Sequence, residues 1–177
     1  MRNLKTNNEV MRNLMCAACI MLFTALQAQD VRLSKENRKQ FVGTWSLVAV
    51  ENTNADGSKT LPYGENPLGL LVFTDAGEYA IQILKAVRPK VAAGDKNKAT
   101  PDENAALVQG NNSHFGTYTV HPEKHTVTFN VLHAFYPNWE GKAQVRSYKL
   151  ENNMLSYVVT NTTNGGAVTA TVVWKKK

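Results

Sequence analysis

His114-Phe115-Gly116-Thr117-Tyr118-Thr119-Val120-His121-Pro122-Glu123-Lys124-His125-Thr126-Val127-Thr128-Phe129-Asn130-Val131-Leu132-His133 carries the same two-residue rhythm on either side of a proline. Tyr118 and Val120 alternate with Thr117 and Thr119, and Val127, Phe129 and Val131 alternate with Thr126, Thr128 and Asn130. Side chains that alternate in this way lie on opposite faces of an extended strand, whereas a helix returns to one face every third or fourth residue. The β-branched and aromatic content favours the strand as well. His121-Pro122-Glu123-Lys124 supplies turn residues between the runs, so the stretch predicts an antiparallel hairpin.

Outward from this hairpin the rhythm recurs until the chain holds eight such runs, at 42–51, 68–74, 77–84, 114–121, 125–133, 143–150, 154–161 and 167–175. Thr74-Asp75-Ala76-Gly77 and Glu151-Asn152-Asn153 are further tight connections. Hairpin-connected strands leave two raw edges unless the sheet closes, and closure removes both. The expected fold class is all-β, an eight-stranded antiparallel up-and-down barrel with one or two short helices. A barrel of this size has room inside for packed side chains or one small ligand. Two longer connections, 52–67 and 85–113, interrupt the pattern. Within the second, Thr100-Pro101-Asp102-Glu103-Asn104-Ala105-Ala106-Leu107-Val108 has the N-cap, early proline and acidic first turn of a short helix. Such a helix is either a lid over one barrel mouth or inert packing. Ser34-Lys35-Glu36-Asn37-Arg38-Lys39-Gln40 reads as a second short helix.

The 177 residues suit one core. Leu14 to Leu26 is almost wholly apolar, follows Arg2, Lys5 and Arg12, and gives way to Gln27-Ala28-Gln29-Asp30. That order describes a secretory signal segment over 1–28, cleaved after Ala28, ahead of a barrel domain over 29–177. The expected location is therefore outside the cytoplasm, periplasmic or secreted. The apolar run falls short of the roughly 20 residues that a membrane-spanning helix needs. Both cysteines, Cys16 and Cys19, fall inside it, which excludes thiolate chemistry and disulfides from the remainder. Without 1–28 the formal charge of +6 becomes +4, spread along the chain. The basic runs at 85–98 and Lys175-Lys176-Lys177 read as a solvated loop and tail, with no stripe of interleaved aromatics for nucleic acid.

Phe41-Val42-Gly43-Thr44-Trp45-Ser46-Leu47 resembles the glycine-x-tryptophan opening strand of the lipocalins and their calycin relatives. Pro62-Tyr63-Gly64-Glu65-Asn66-Pro67-Leu68-Gly69, His114-Phe115-Gly116-Thr117-Tyr118 and Pro137-Asn138-Trp139-Glu140-Gly141, with Arg146 after it, resemble the bacterial lipocalin-like domain family in order along the chain. The resemblance implies a calycin-type barrel with an apolar small-molecule pocket and no settled activity. It gives Gly43 and Trp45 structural roles, with Trp45 closing the barrel floor under a basic residue near the last strand. Trp174-Lys175 is the place from which that residue would come.

Assigning the more apolar face of each run inward gives Trp45, Leu47 and Ala49, then Tyr79, Ile81 and Ile83, then Leu155, Tyr157 and Val159. The same rule turns His114, Gly116, Tyr118 and Val120 inward, with Val127, Phe129, Val131 and His133 beside them, and Gln144, Arg146, Tyr148 and Leu150 beyond. His114, Tyr118, His133, Gln144, Arg146 and Tyr148 are thus the candidate ligand-binding residues, a few polar groups in an apolar pocket. Arg146 favours a carboxylate or other anion; its structural alternative is an ion pair with Glu140 or Glu78. The tyrosines have packing as their alternative, and Tyr63 and Asn66 read as loop architecture.

Three function classes fit this reading. The first is an exported protein holding one small hydrophobic or amphipathic molecule, mostly apolar and anionic in character. The second is a barrel enzyme of isomerase, cyclase or acid–base type, with His114 or His133 carrying a proton and Tyr118 or Arg146 steadying an oxyanion. The third is a structural or protein-binding envelope protein whose barrel is filled. No nucleophile elbow is present, and His121 and His125 flank a turn without a third ligand, so no metal or cofactor is expected. Composition leaves the oligomeric state open.

Overall fold

The alternating runs become nine strands among the described residues: β1 Gly43–Asn54, β2 Lys59–Thr60, β3 Leu68–Phe73, β4 Glu78–Leu84, β5 Asn111–His121, β6 Thr126–Ala134, β7 Ala143–Glu151, β8 Met154–Thr160 and β9 Ala167–Lys176. β2 only hooks back onto the end of β1, pairing Thr60 with Asn52 and Lys59 with Thr53. The other eight pair antiparallel in chain order, and β9 returns to β1 from Trp45↔Lys176 to Asn54↔Ala167. The ring is closed, an eight-stranded antiparallel up-and-down barrel, as the run count predicts. Asn152 and Asn153, both with positive φ (50° and 62°), make the β7–β8 turn in the backbone region that asparagine tolerates.

The computed structural model describes residues 29, 32, 35–160, 162–163 and 167–177. The chain divides into two compact units, Met1–Asn37 and Arg38–Lys177, and the barrel belongs to the second. The signal segment expected at 1–28 lies outside the described residues, as does Ser34, while residues 35–38 are helical. No helix among the described residues is long and apolar enough to cross a membrane. The helix expected after Thr100 is Pro101–Gln109. It opens on a capping box, in which the Thr100 hydroxyl accepts from the Glu103 N–H and the Glu103 carboxylate accepts from the Thr100 N–H.

Two β-bulges decide which side chains enter the barrel. In β1 the ladder to β9 shifts between Leu47 and Ala49, so that Val48 has no counterpart. A single extra residue reverses the alternation: Trp45 and Leu47 are buried before it, and Val50 and Asn52 after it. Ala49, expected to face inward, does not belong to the buried face. In β6 the ladder to β5 passes from Phe115↔His133 directly to Gly116↔Val131, leaving Leu132 as the extra residue. This corrects the reading of His133. Past the bulge it joins exposed Phe115 on the outer wall, with ring centroids 5.5 Å apart and the Glu140 carboxylate 3.5 Å away.

The closed end is an aromatic plug. Trp45 has no exposed surface, and its indole N–H donates to the Phe41 carbonyl at 2.8 Å. Phe41 meets Phe73 and Tyr148 edge-on at 5.5 and 4.9 Å, and Phe73 continues to Tyr118 at 4.5 Å and to Phe129 at 6.0 Å. Such pairs add about 0.5–1.5 kcal/mol each beyond their buried area. The cation over Trp45 is Lys176, 5.3 Å from the ring centroid, with its ammonium donating to the Gln40 carbonyl at 3.0 Å. Trp174 points inward, so Lys175 must point out and Lys176 in. The basic residue thus sits one position beyond Trp174-Lys175.

Candidate functional site

Above Phe129 the barrel is open. A cavity of about 810 Å³ runs from that ring to the mouth, within the usual range for small-molecule sites. Its apolar wall includes Val50, Ile81, Ile83 and Val172. Val108 and Gln109, the last turn of the Pro101–Gln109 helix, reach its rim, as does Trp139 from the Pro137–Trp139 turn. Arg146 and Lys142 are the charged residues of the described lining, which contains no acidic side chain.

Strand alternation puts Gln144 and Arg146 on the inward face of β7. The Arg146 Nη2 donates to Gln144 Oε1 at 2.6 Å, and Nη1 donates to the Val145 carbonyl at 3.2 Å. Burial lowers the guanidinium pKa from its ordinary value, while the neighbouring Tyr157 and Tyr79 hydroxyls act in the opposite sense. An arginine keeps its charge in proteins even so. Among the described residues no carboxylate lies within ion-pair distance of it. Glu140 instead accepts the Ala134 N–H and lies beside His133. Burying a cation without a counter-ion is costly, and the fork that remains faces the cavity.

His114 stands on β5 with its Nδ1 2.8 Å from the Tyr79 hydroxyl, ringed by Tyr79, Phe129 and Trp139 at 5.4, 6.2 and 5.9 Å. Burial, with Arg146 adding to it, holds its pKa down at about 4. The imidazole is therefore neutral at neutral pH and serves as a hydrogen-bonding group. Burial raises the Tyr79 phenol well above its ordinary value, so it stays protonated. A stability prediction follows by linkage. Between the unfolded value of about 6.5 and the folded value of about 4, the unfolded chain binds more protons, so stability is full above pH 6.5 and falls as pH drops to 4. The loss from this group is roughly 3 kcal/mol. Urea unfolding at pH 7 and pH 4 should show His114→Phe losing that much less than the native chain; an equal loss in both would refute it.

The structure brings His114, Gln144 and Arg146 to the cavity wall and leaves the other three sequence candidates elsewhere. Tyr118 lies in the plug, its hydroxyl donating to the Thr74 carbonyl at 3.0 Å and pushed up to about 12 by burial. Tyr148 packs on Phe41, also in the plug. His133 borders a separate groove of about 400 Å³ on the outer wall, together with Leu70, Val72 and Phe115. Sequence reasoning missed Asn52, Asn112 and Tyr63, which line the cavity. Asn52 becomes inward only through the Val48 bulge, and Asn112 lies in a strand that starts three positions before its alternation becomes apolar. Tyr63, read as loop architecture, is buried in the core. A non-repetitive loop carries no periodicity from which its burial could have been read.

A closed barrel plugged at one end and hollow at the other is, as a class, a small-molecule-pocket barrel. A family model described as the lipocalin-like domain matches residues 42–177, and the chain belongs to that family. Barrels of this family commonly bind small hydrophobic ligands. A search of curated proteins found no match to the chain.

Proposed function

We propose that this protein is an exported carrier or receptor for one small, mostly apolar molecule bearing an acidic group, which seats against Arg146. The observation that supports this most directly is the Arg146 guanidinium, half-buried in the cavity wall with Gln144 as its side-chain partner and no acidic residue among the described lining. A ligand carboxylate would supply the missing charge through a paired hydrogen bond. Export is supported by the apolar run Leu14 to Leu26 behind Arg2, Lys5 and Arg12.

The test uses hexadecanoic acid and hexadecanol as probes, titrated against a displaceable fluorescent reporter. Arg146→Gln should weaken the acid by about 10–100-fold, the worth of a charge-assisted hydrogen bond, and leave the alcohol unchanged. Equal losses for both probes, or none for the acid, would count against an anion site. Cell fractionation with N-terminal sequencing tests export: a chain starting at Gln29 outside the cytoplasm supports it, and an intact N-terminus in the cytoplasm refutes it.

A further inference from the structure

We infer that the ligand is bifunctional: besides its acidic group it carries a hydroxyl or N–H donor, received by the side-chain carbonyl of Asn52 or of Asn112. The inference rests on the pocket reading above and adds a second recognition point to it. Asn52 is the buried polar residue of the described core, 4% exposed, and it lines the cavity. Its Oδ1 has no hydrogen-bond partner among the described residues, and neither has Oδ1 of Asn112, which lines the same cavity.

A buried acceptor left without a donor costs about 1–3 kcal/mol, and an apolar residue of similar size at position 52 would avoid that cost. The bulge at Val48 makes the choice sharper. Without it the inward positions would be those of Ala49 and Glu51's face, and the amide would point to the outer wall. The fold therefore turns an unsatisfied carbonyl into the chamber that Arg146 also lines. What complements such a carbonyl is a donor, and a hydroxyl fits best because the asparagine amide both accepts and donates. Arg146 on β7 stands three strands round the ring from Asn52 on β1 and two from Asn112 on β5, with Ile81, Ile83, Val50 and Val172 on the wall around them. A cationic station and an acceptor station on different walls, with apolar side chains in the same lining, describe a hydroxylated acid with an apolar body.

The experiment compares hexadecanoic acid with the full set of its monohydroxy isomers, in wild type, Asn52→Leu, Asn112→Leu and Arg146→Gln, each checked for fold by circular dichroism. At least one monohydroxy isomer should bind wild type about tenfold or more tightly than hexadecanoic acid, one hydrogen bond's worth. Asn52→Leu or Asn112→Leu should abolish that preference with the affinity for hexadecanoic acid retained, and Asn52→Leu should melt no lower than wild type because the Asn52 carbonyl has no hydrogen bond to lose among the described residues. Arg146→Gln should weaken every acid and keep the preference. If hexadecanoic acid binds and no isomer exceeds it, or if the preference survives both asparagine variants, the bifunctional ligand is overturned while the acid pocket stands. If no acid binds wild type, the pocket reading itself fails.

Discussion

Trp45→Ala is expected to lower folding stability by about 3–5 kcal/mol, the cost of deleting a fully buried aromatic side chain, and so to remove a large part of what holds a small domain together. Trp45 has no exposed surface and occupies the closed end where β1 meets both β3 and β9. Its loss opens a hole beneath Phe41, leaves the Phe41 carbonyl without its indole donor, and removes the ring beneath Lys176. Trp45→Phe, which refills most of the volume, should lose clearly less. Urea denaturation followed by far-ultraviolet circular dichroism measures both. A loss for Trp45→Ala below about 1 kcal/mol, the ordinary effect of a point substitution, would mean that the plug is not what closes the barrel.

Gly116→Ala should be nearly as damaging, at about 3 kcal/mol, although it adds a single methyl group. At this position β5 crosses the Leu132 bulge of β6. A methyl group would collide with the Asn130 carbonyl oxygen and come within 2.8 Å of the Leu132 nitrogen, both of them backbone atoms that cannot swing aside. Relief requires the β5–β6 ladder to part or the bulge to move, and a moved bulge would change which face His133 occupies. The expected result is a lowered unfolding midpoint together with altered amide signals for residues 130–133. A variant as stable as the native chain with an unchanged ladder would show that the close approach is not a constraint.

These two sites also mark how far the fold could be read in advance. Alternation of β-branched and aromatic residues located all eight barrel strands, because a strand with one wet face must repeat with period two and few sequences do so by accident. The capped helix after Thr100 was legible for a similar reason: its N-cap, proline and glutamate act within one turn. For the site, alternation was enough for His114, Gln144 and Arg146, which sit on β5 and β7, strands that carry no extra residue of their own. It failed for His133, for Ala49 and for Asn52, each lying beyond a bulge. Val48 and Leu132 are ordinary strand residues, and nothing local marks them as unpaired; a bulge exists only relative to the partner strand. Tyr118 and Tyr148 were assigned to the correct face but belong to the plug, since a face rule gives the side of the sheet and no height along the barrel.

What the sequence by itself determined is the eight alternating strands, their hairpins, the capped helix and the inward direction of one arginine, since each depends on neighbours within one strand or one turn; closure was then legible because hairpin-linked strands otherwise leave two raw edges. Only the tertiary structure decided that the barrel is plugged below Phe129 and hollow above it, that Lys176 covers Trp45, and that Asn52 and Asn112 share a chamber with Arg146. Those outcomes depend on strand register, bulges and the depth of each side chain along the barrel axis, quantities fixed by packing between segments far apart in the chain.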